Sequence, residues 1–123
     1  MHFTNYLTRK NYEEELRQID KNIYAPRLFE PIEIRPQLWL SIQANSLVQC
    51  RPRTDFSEIS DVTHWELMLF NGHNLIKIAD ILPDLISLAE IELYANEELY
   101  CLVPTDLVQE LYDALLAENK MTA

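Results

Sequence analysis

The sequence predicts an α+β domain: an antiparallel sheet of about five or six strands, with N-terminal and C-terminal helices and one short internal helix. Three observations carry that reading. Leu38, Leu40, Ile42 and Ala44 alternate with Trp39, Ser41 and Gln43, the period-two pattern of a strand with one buried face. Asn71-Gly72 stands between two apolar runs, the strongest short-range signal of a β-hairpin. After Pro104, the residues Leu107, Val108, Leu111, Leu115 and Leu116 recur at helical spacing, with Asp106, Glu110 and Asp113 on the opposing face.

From the N-terminus, the spacing predicts a helix over 11–25, with Tyr12, Leu16, Ile19 and Ile23 on one face. Asn11 is its expected cap, and Glu13, Glu14 and Glu15 fall in the first turn, where the helix dipole favours carboxylates. Pro26 ends it. A proline-spaced stretch through Pro31 and Pro36 follows, then a strand over 37–44, a turn at Asn45 and Ser46, and a second short strand over 47–51. Residues 52–61 are polar and turn-rich, with Phe56 and Ile59 expected to anchor the loop to the core.

Residues 62–70 read as a strand carrying Trp65, Leu67 and Leu69 on one face and Glu66, Met68 and Phe70 on the other. Val62, Trp65 and Leu69 also fit helical spacing; the Asn71-Gly72 dipeptide decides for the strand, with 75–78 returning beside it. Asp80 is the expected cap of a short helix over 81–89, with Pro83 inside its tolerant first turn. Residues 90–95 and 99–103 then form a second hairpin around Asn96, Glu97 and Glu98. Pro104 and Thr105 stop that strand and open the last helix, 106–118.

A length of 123 residues with 48% hydrophobic content bounds the chain to a single compact domain, 1–123, too apolar for a disordered acidic tail. Residues 1–10 contain Arg9 and Lys10 but lead into no apolar run, so they do not read as a signal peptide, and the apolar stretch 75–93 is broken by charge and Pro83. The expectation is a soluble cytoplasmic protein with no membrane contact. Cys50 and Cys101 have neither the number nor the spacing of a disulfide framework or a metal knuckle, and read as buried apolar side chains.

Several chemistries find little support. Gly72 is the only glycine, so no phosphate-cradling loop or dinucleotide fingerprint exists, and no cofactor is expected. His2, His64 and His73 are the only histidines. Cys50, His64 and Asp61 can be assembled on paper as a thiol site, and His64, Glu66 and His73 as a metal set, but neither has a recognised spacing. The expectation is no catalytic residue and no metal.

Charge is the informative feature. Residues 1–53 hold eight basic and six acidic residues, a formal +2, whereas residues 54–123 hold fourteen acidic residues and only Lys77 and Lys120, a formal −12. From Ile78 to Asn119 ten carboxylates occur without one Lys or Arg. A one-signed surface of that kind repels nucleic acid and speeds encounter with a basic partner. The expected partner-binding residues are Glu90 and Glu92 on one strand face, Glu97 and Glu98 at a hairpin tip, and Asp106, Glu110 and Asp113 on the last helix, with Trp39 and Tyr94 as aromatic anchors. The sequence therefore points to a non-enzymatic acidic protein-binding module, an inhibitor or immunity-type protein of the kind phages encode. By mimicking nucleic acid it would mask the basic surface of a nuclease or other nucleic-acid-binding protein. The alternatives are an acidic chaperone-like homodimer that binds a segment of another protein and, more remotely, a small hydrolase.

Overall fold

Leu38–Gln43 (β2) and His64–Asn71 (β3) form the spine of the computed structural model, which describes residues 2–20 and 25–122. The two strands pair antiparallel from Leu38↔Asn71 to Gln43↔Glu66, so Leu40 faces Leu69 and Ile42 faces Leu67 on the same side. Ile32–Arg35 (β1) pairs with β2, and Leu99–Pro104 (β6) pairs with the first half of β3. Asn74–Ile76 (β4) takes the second half of that same β3 edge, and Ala95–Asn96 (β5) closes the sheet beside β6. The order is β1-β2-β3-β6-β5, antiparallel throughout, an α+β fold of six strands.

Thr105–Thr122 (α4) covers one face of this sheet. Leu107, Val108, Leu111 and Leu115 are buried against Leu38, Leu40, Ile42, Trp65, Leu67, Leu69 and Val103. Trp65 is fully buried, meets Phe3 edge to face at 5.4 Å and donates its indole N–H to Thr105 Oγ1 at 2.9 Å. Phe3 sits in a 3-10 turn, Phe3–Tyr6, whose first backbone N–H is held by Gln109 Oε1 at 2.8 Å. The N-terminus is thereby fastened to α4.

Gly72 shows why the hairpin forms where it does. The turn residues between Asn71 and Asn74 are Gly72 and His73, and Gly72 has φ +62°, which only glycine adopts without steric cost. A positive φ at the first central position is the type II′ pattern, whose twist matches the strands it joins. A Cβ there would also stand 3.1 Å from Gln37 Oε1.

Several expected elements are redrawn. The predicted helix over 11–25 is Glu13–Ile19 (α1), and Ile23 lies outside the described residues. Tyr12, not Asn11, holds the cap position and makes no side-chain cap; its hydroxyl donates instead to the Pro26 carbonyl at 2.5 Å. Ile19 is 81% exposed, so α1 adds little to the core. The stretch between Pro31 and Pro36 does form a strand, β1. Each proline sits just outside it, where the missing N–H breaks no ladder.

Residues 47–51 are not a strand. The Gln49 backbone is clamped on both sides, its N–H by the Glu66 carboxylate at 3.0 Å and its carbonyl by the Leu102 N–H at 3.1 Å. Leu102, at φ +56°, lies where the β3–β6 register shifts between Trp65 and Leu67, and this bulge turns its N–H outward to Gln49. Phe56 does not anchor its loop: it is 85% exposed, and the loop is held by other means.

The helix expected over 81–89 divides into Ile78–Ile81 (α2) and Leu88–Glu92 (α3), because Pro83 cannot continue α2. Asp80 is the third residue of α2 rather than its cap, and its carboxylate accepts the Lys77 N–H at 3.0 Å. α3 replaces the first half of the strand expected over 90–95, and a turn follows it. Ile91 is buried and Leu93 is 82% exposed, so burial pins one side of a short helix, and the strand shrinks to β5.

Candidate functional site

The acidic stripe of α4 exists as expected. Packing of Leu107, Val108, Leu111 and Leu115 onto the sheet fixes the helix rotation, and this forces Asp106, Glu110 and Asp113 outward; all three are exposed. Asp113 is oriented further by Gln109, whose Nε2 donates to its carboxylate at 2.9 Å while Oε1 holds the Phe3 N–H. The charges therefore stand on a rigid element tied down at both the sheet and the N-terminus.

Glu90 and Glu92 do not share a strand face. On α3 two residues are about 200° apart around the axis, so their side chains diverge. Glu92 and Glu98 lie with Asp80 in the field of Tyr100. Burial is the main cause that pushes the Tyr100 hydroxyl above its ordinary value, and these three carboxylates add to it. That hydroxyl accepts the Ile78 N–H at 2.9 Å, joining β6 to the start of α2. Glu97 and Glu98 form the β5–β6 turn, with Glu97 in the left-handed region at φ +57°. Of the expected acidic residues, Asp106, Glu110 and Asp113 thus stand along α4, while Glu92 and Glu98 lie near Tyr100.

The two expected aromatic anchors, Trp39 and Tyr94, are both half-buried. Trp39 is half-buried on the sheet face turned away from α4, opposite Phe70 in the register. The two rings, with Pro31 and His73, border an open hollow of about 530 Å³. Tyr94 is half-buried, packs against the core just after α3, and its carbonyl accepts the Cys101 N–H at 2.9 Å.

A feature the sequence analysis missed lies beside the α4 stripe. The segment 82–87 between α2 and α3 runs along the helix and leaves an open groove of about 630 Å³, walled by Pro83, Leu85 and Ile86 on one side and by Ala114 and Ala117 on the other. It continues into a hollow of about 400 Å³ bordered by Leu85, Ile86, Glu110 and Asp113. Ile86 is wholly exposed at 101%. The signal was present in the sequence: Pro83 breaks the helix register, so Ile86 loses the core-facing position that a continuous helix would have given it. At the far end Arg35 bonds Glu118.

The other chemistries take these positions. Cys50 Sγ donates to the Asn45 carbonyl at 3.1 Å, while His64 Nδ1 lies 2.8 Å from Thr63 Oγ1. Burial pushes both the Cys50 and Cys101 thiols up, away from the reactive thiolate. His64 opens β3 and His73 follows its end, so the strand separates them by roughly 20 Å at ~3.3 Å per residue. Among the described residues, no group of three or more His, Cys, Asp or Glu is arranged to hold a metal, and no helix is long and apolar enough to cross a membrane. Comparison with protein-family models, curated proteins and solved structures gives no match.

Proposed function

We propose that this chain is an acidic protein-binding module, an inhibitor or immunity-type protein of the phage kind. In this reading it masks the basic nucleic-acid-binding surface of a nuclease or similar protein in the cytoplasm. The observation that carries the reading is the outward row Asp106, Glu110 and Asp113 on a rigid helix, inside a 42-residue span without a single Lys or Arg. Charges fixed before encounter steer a basic partner and need no reordering on contact. The free Cys50 and Cys101 thiols suit a reducing compartment.

The test is capture from lysate of the source cell or its natural host, comparing the native chain with the triple variant Asp106→Asn, Glu110→Gln, Asp113→Asn. A nucleic-acid-binding protein should be retained by the native chain and released by salt or by competing DNA or RNA. The triple variant should hold it about tenfold more weakly, with a flatter salt dependence. Equal retention of that protein by both chains overturns the reading.

The groove beside α4 supports a second reading, the acidic chaperone-like homodimer that holds a segment of another protein. Sedimentation separates the two, since this reading requires a stable dimer in the absence of any partner.

A further inference from the structure

We propose that the groove between α4 and residues 82–87 is the docking site for a basic amphipathic α-helix of the partner, an inference that rests on the reading of the chain as an acidic binding module.

The dimensions select a helix. From Glu110 to Ala117 the α4 wall rises through seven residue steps, ~10 Å at 1.5 Å per step, or two helical turns. Apolar side chains at i, i+3 or i+4, and i+7 of a bound helix repeat over that same length. Ala114 and Ala117 lie one turn apart, and their small side chains let a bulky Leu or Phe settle close to the α4 backbone. Ile86 is a ready contact, fully exposed on the opposite lip.

The backbone selects against an extended peptide. A strand gains its affinity by pairing with an open sheet edge, and neither wall offers one, since α4 bonds its own backbone internally and 82–87 contains no strand. A helix satisfies its own backbone and needs only side-chain contact.

Charge selects a basic helix. Asp84, Glu110 and Asp113 rim the apolar floor, all exposed, and the Arg35 guanidinium at the groove's end is already bonded to Glu118. Lysines or arginines flanking the apolar stripe of a bound helix meet this rim, whereas an acidic helix is repelled. A second copy of this chain is a poor occupant. Among the described side chains of its helix α1, Glu14 and Glu15 are exposed beside Arg17, and two copies at −10 each repel.

The test uses three synthetic peptides of about 18 residues in fluorescence anisotropy titrations: an amphipathic helix of leucine and arginine, its glutamate counterpart, and oligo-arginine without leucine. The native chain should bind the first about tenfold more tightly than oligo-arginine and the second not at all. Ile86→Ser, at a fully exposed site that leaves the fold intact, should remove that advantage without weakening oligo-arginine. Glu110→Gln with Asp113→Asn should weaken both basic peptides.

Equal binding of the two basic peptides, or an advantage that survives Ile86→Ser, overturns the groove as the docking site and leaves the acidic reading standing. Failure of both basic peptides to bind brings down that reading as well. A concentration-dependent dimer of the free chain that Ile86→Ser abolishes overturns the proposal in favour of a second copy as occupant.

Discussion

The two faces of the sheet are built on opposite principles from the same strands. Beneath α4, alternate residues of β2 and β3 present Leu38, Leu40, Ile42, Trp65, Leu67 and Leu69 to an apolar helix. Turned away from it, the intervening positions include Ser41, Gln43 and Glu66, all buried and all hydrogen-bonded. Gln43 accepts the Phe29 N–H at 2.9 Å and donates to the Phe29 carbonyl at 2.7 Å, so one amide side chain imitates a strand neighbour for the segment that crosses it. The first face is held by area removed from water and tolerates many apolar sequences; the second is held by directed bonds, each of which must be made.

Removing Trp65 should break the first face with the largest effect. Trp65→Ala deletes a side chain in contact with Phe3 and bonded to Thr105, and should lower stability by about 3–5 kcal/mol in denaturant titrations. Much of this face was legible in advance, because a strand buried on one side writes its period into the sequence and a covering helix writes its own. The α4 stripe, the β2 alternation and the Gly72 turn were all readable for that reason.

Arg27 is the corresponding point on the second side, and its effect should be smaller, about 3 kcal/mol for Arg27→Ala. Arg27 is 5% exposed, and its guanidinium donates through Nε and Nη2 to the Ala44 carbonyl at 2.9 and 2.8 Å, and also to Ser57. Asp55, also buried, receives the Arg27 and Ser46 backbone N–H groups, each at 3.0 Å. Together they fasten residues 44–57, which is how the loop stays ordered while Phe56 points to solvent. Arg27→Lys should recover only part of the loss, since an ammonium does not reproduce the two-pronged contact. If Arg27→Ala costs less than 1 kcal/mol, the directed-bond account of this side fails.

The alternation shows which residues point to this second face, but not the bonds that hold it. A buried Arg and Asp pair 28 residues apart in sequence has no period, and Gln43 and Glu66 looked like ordinary solvent-facing positions of strands. The same limit explains the candidate site. The shared outward face of Asp106, Glu110 and Asp113 is legible because one helix carries all three. The pattern of residues 81–95 puts Glu90 and Glu92 on a strand only if Pro83 is a tolerated first-turn residue, whereas Pro83 is the break that lets α3 form. The groove beside Ile86 follows from that break.

Alkaline pH should sharpen the contrast with the smallest effect. Burial raises Cys50 and Cys101 above their ordinary 9.0, and Tyr100 and Tyr112 above 10.0. Between the ordinary and the raised value the folded chain keeps a proton that the unfolded chain has released. Each group's stabilising contribution is therefore complete below its ordinary value and is lost as pH rises through the raised one. Unfolding free energy should stay level with respect to these groups up to about pH 9, then fall as the thiols and after them the phenols are drawn into ionisation. Cys50→Ala should remove part of the first decline and leave the later one, which belongs to the tyrosines packed with α4 and β6. A decline that begins with the tyrosines in the native chain and is unmoved by Cys50→Ala would mean that the Cys50 thiol is not held protonated by the fold.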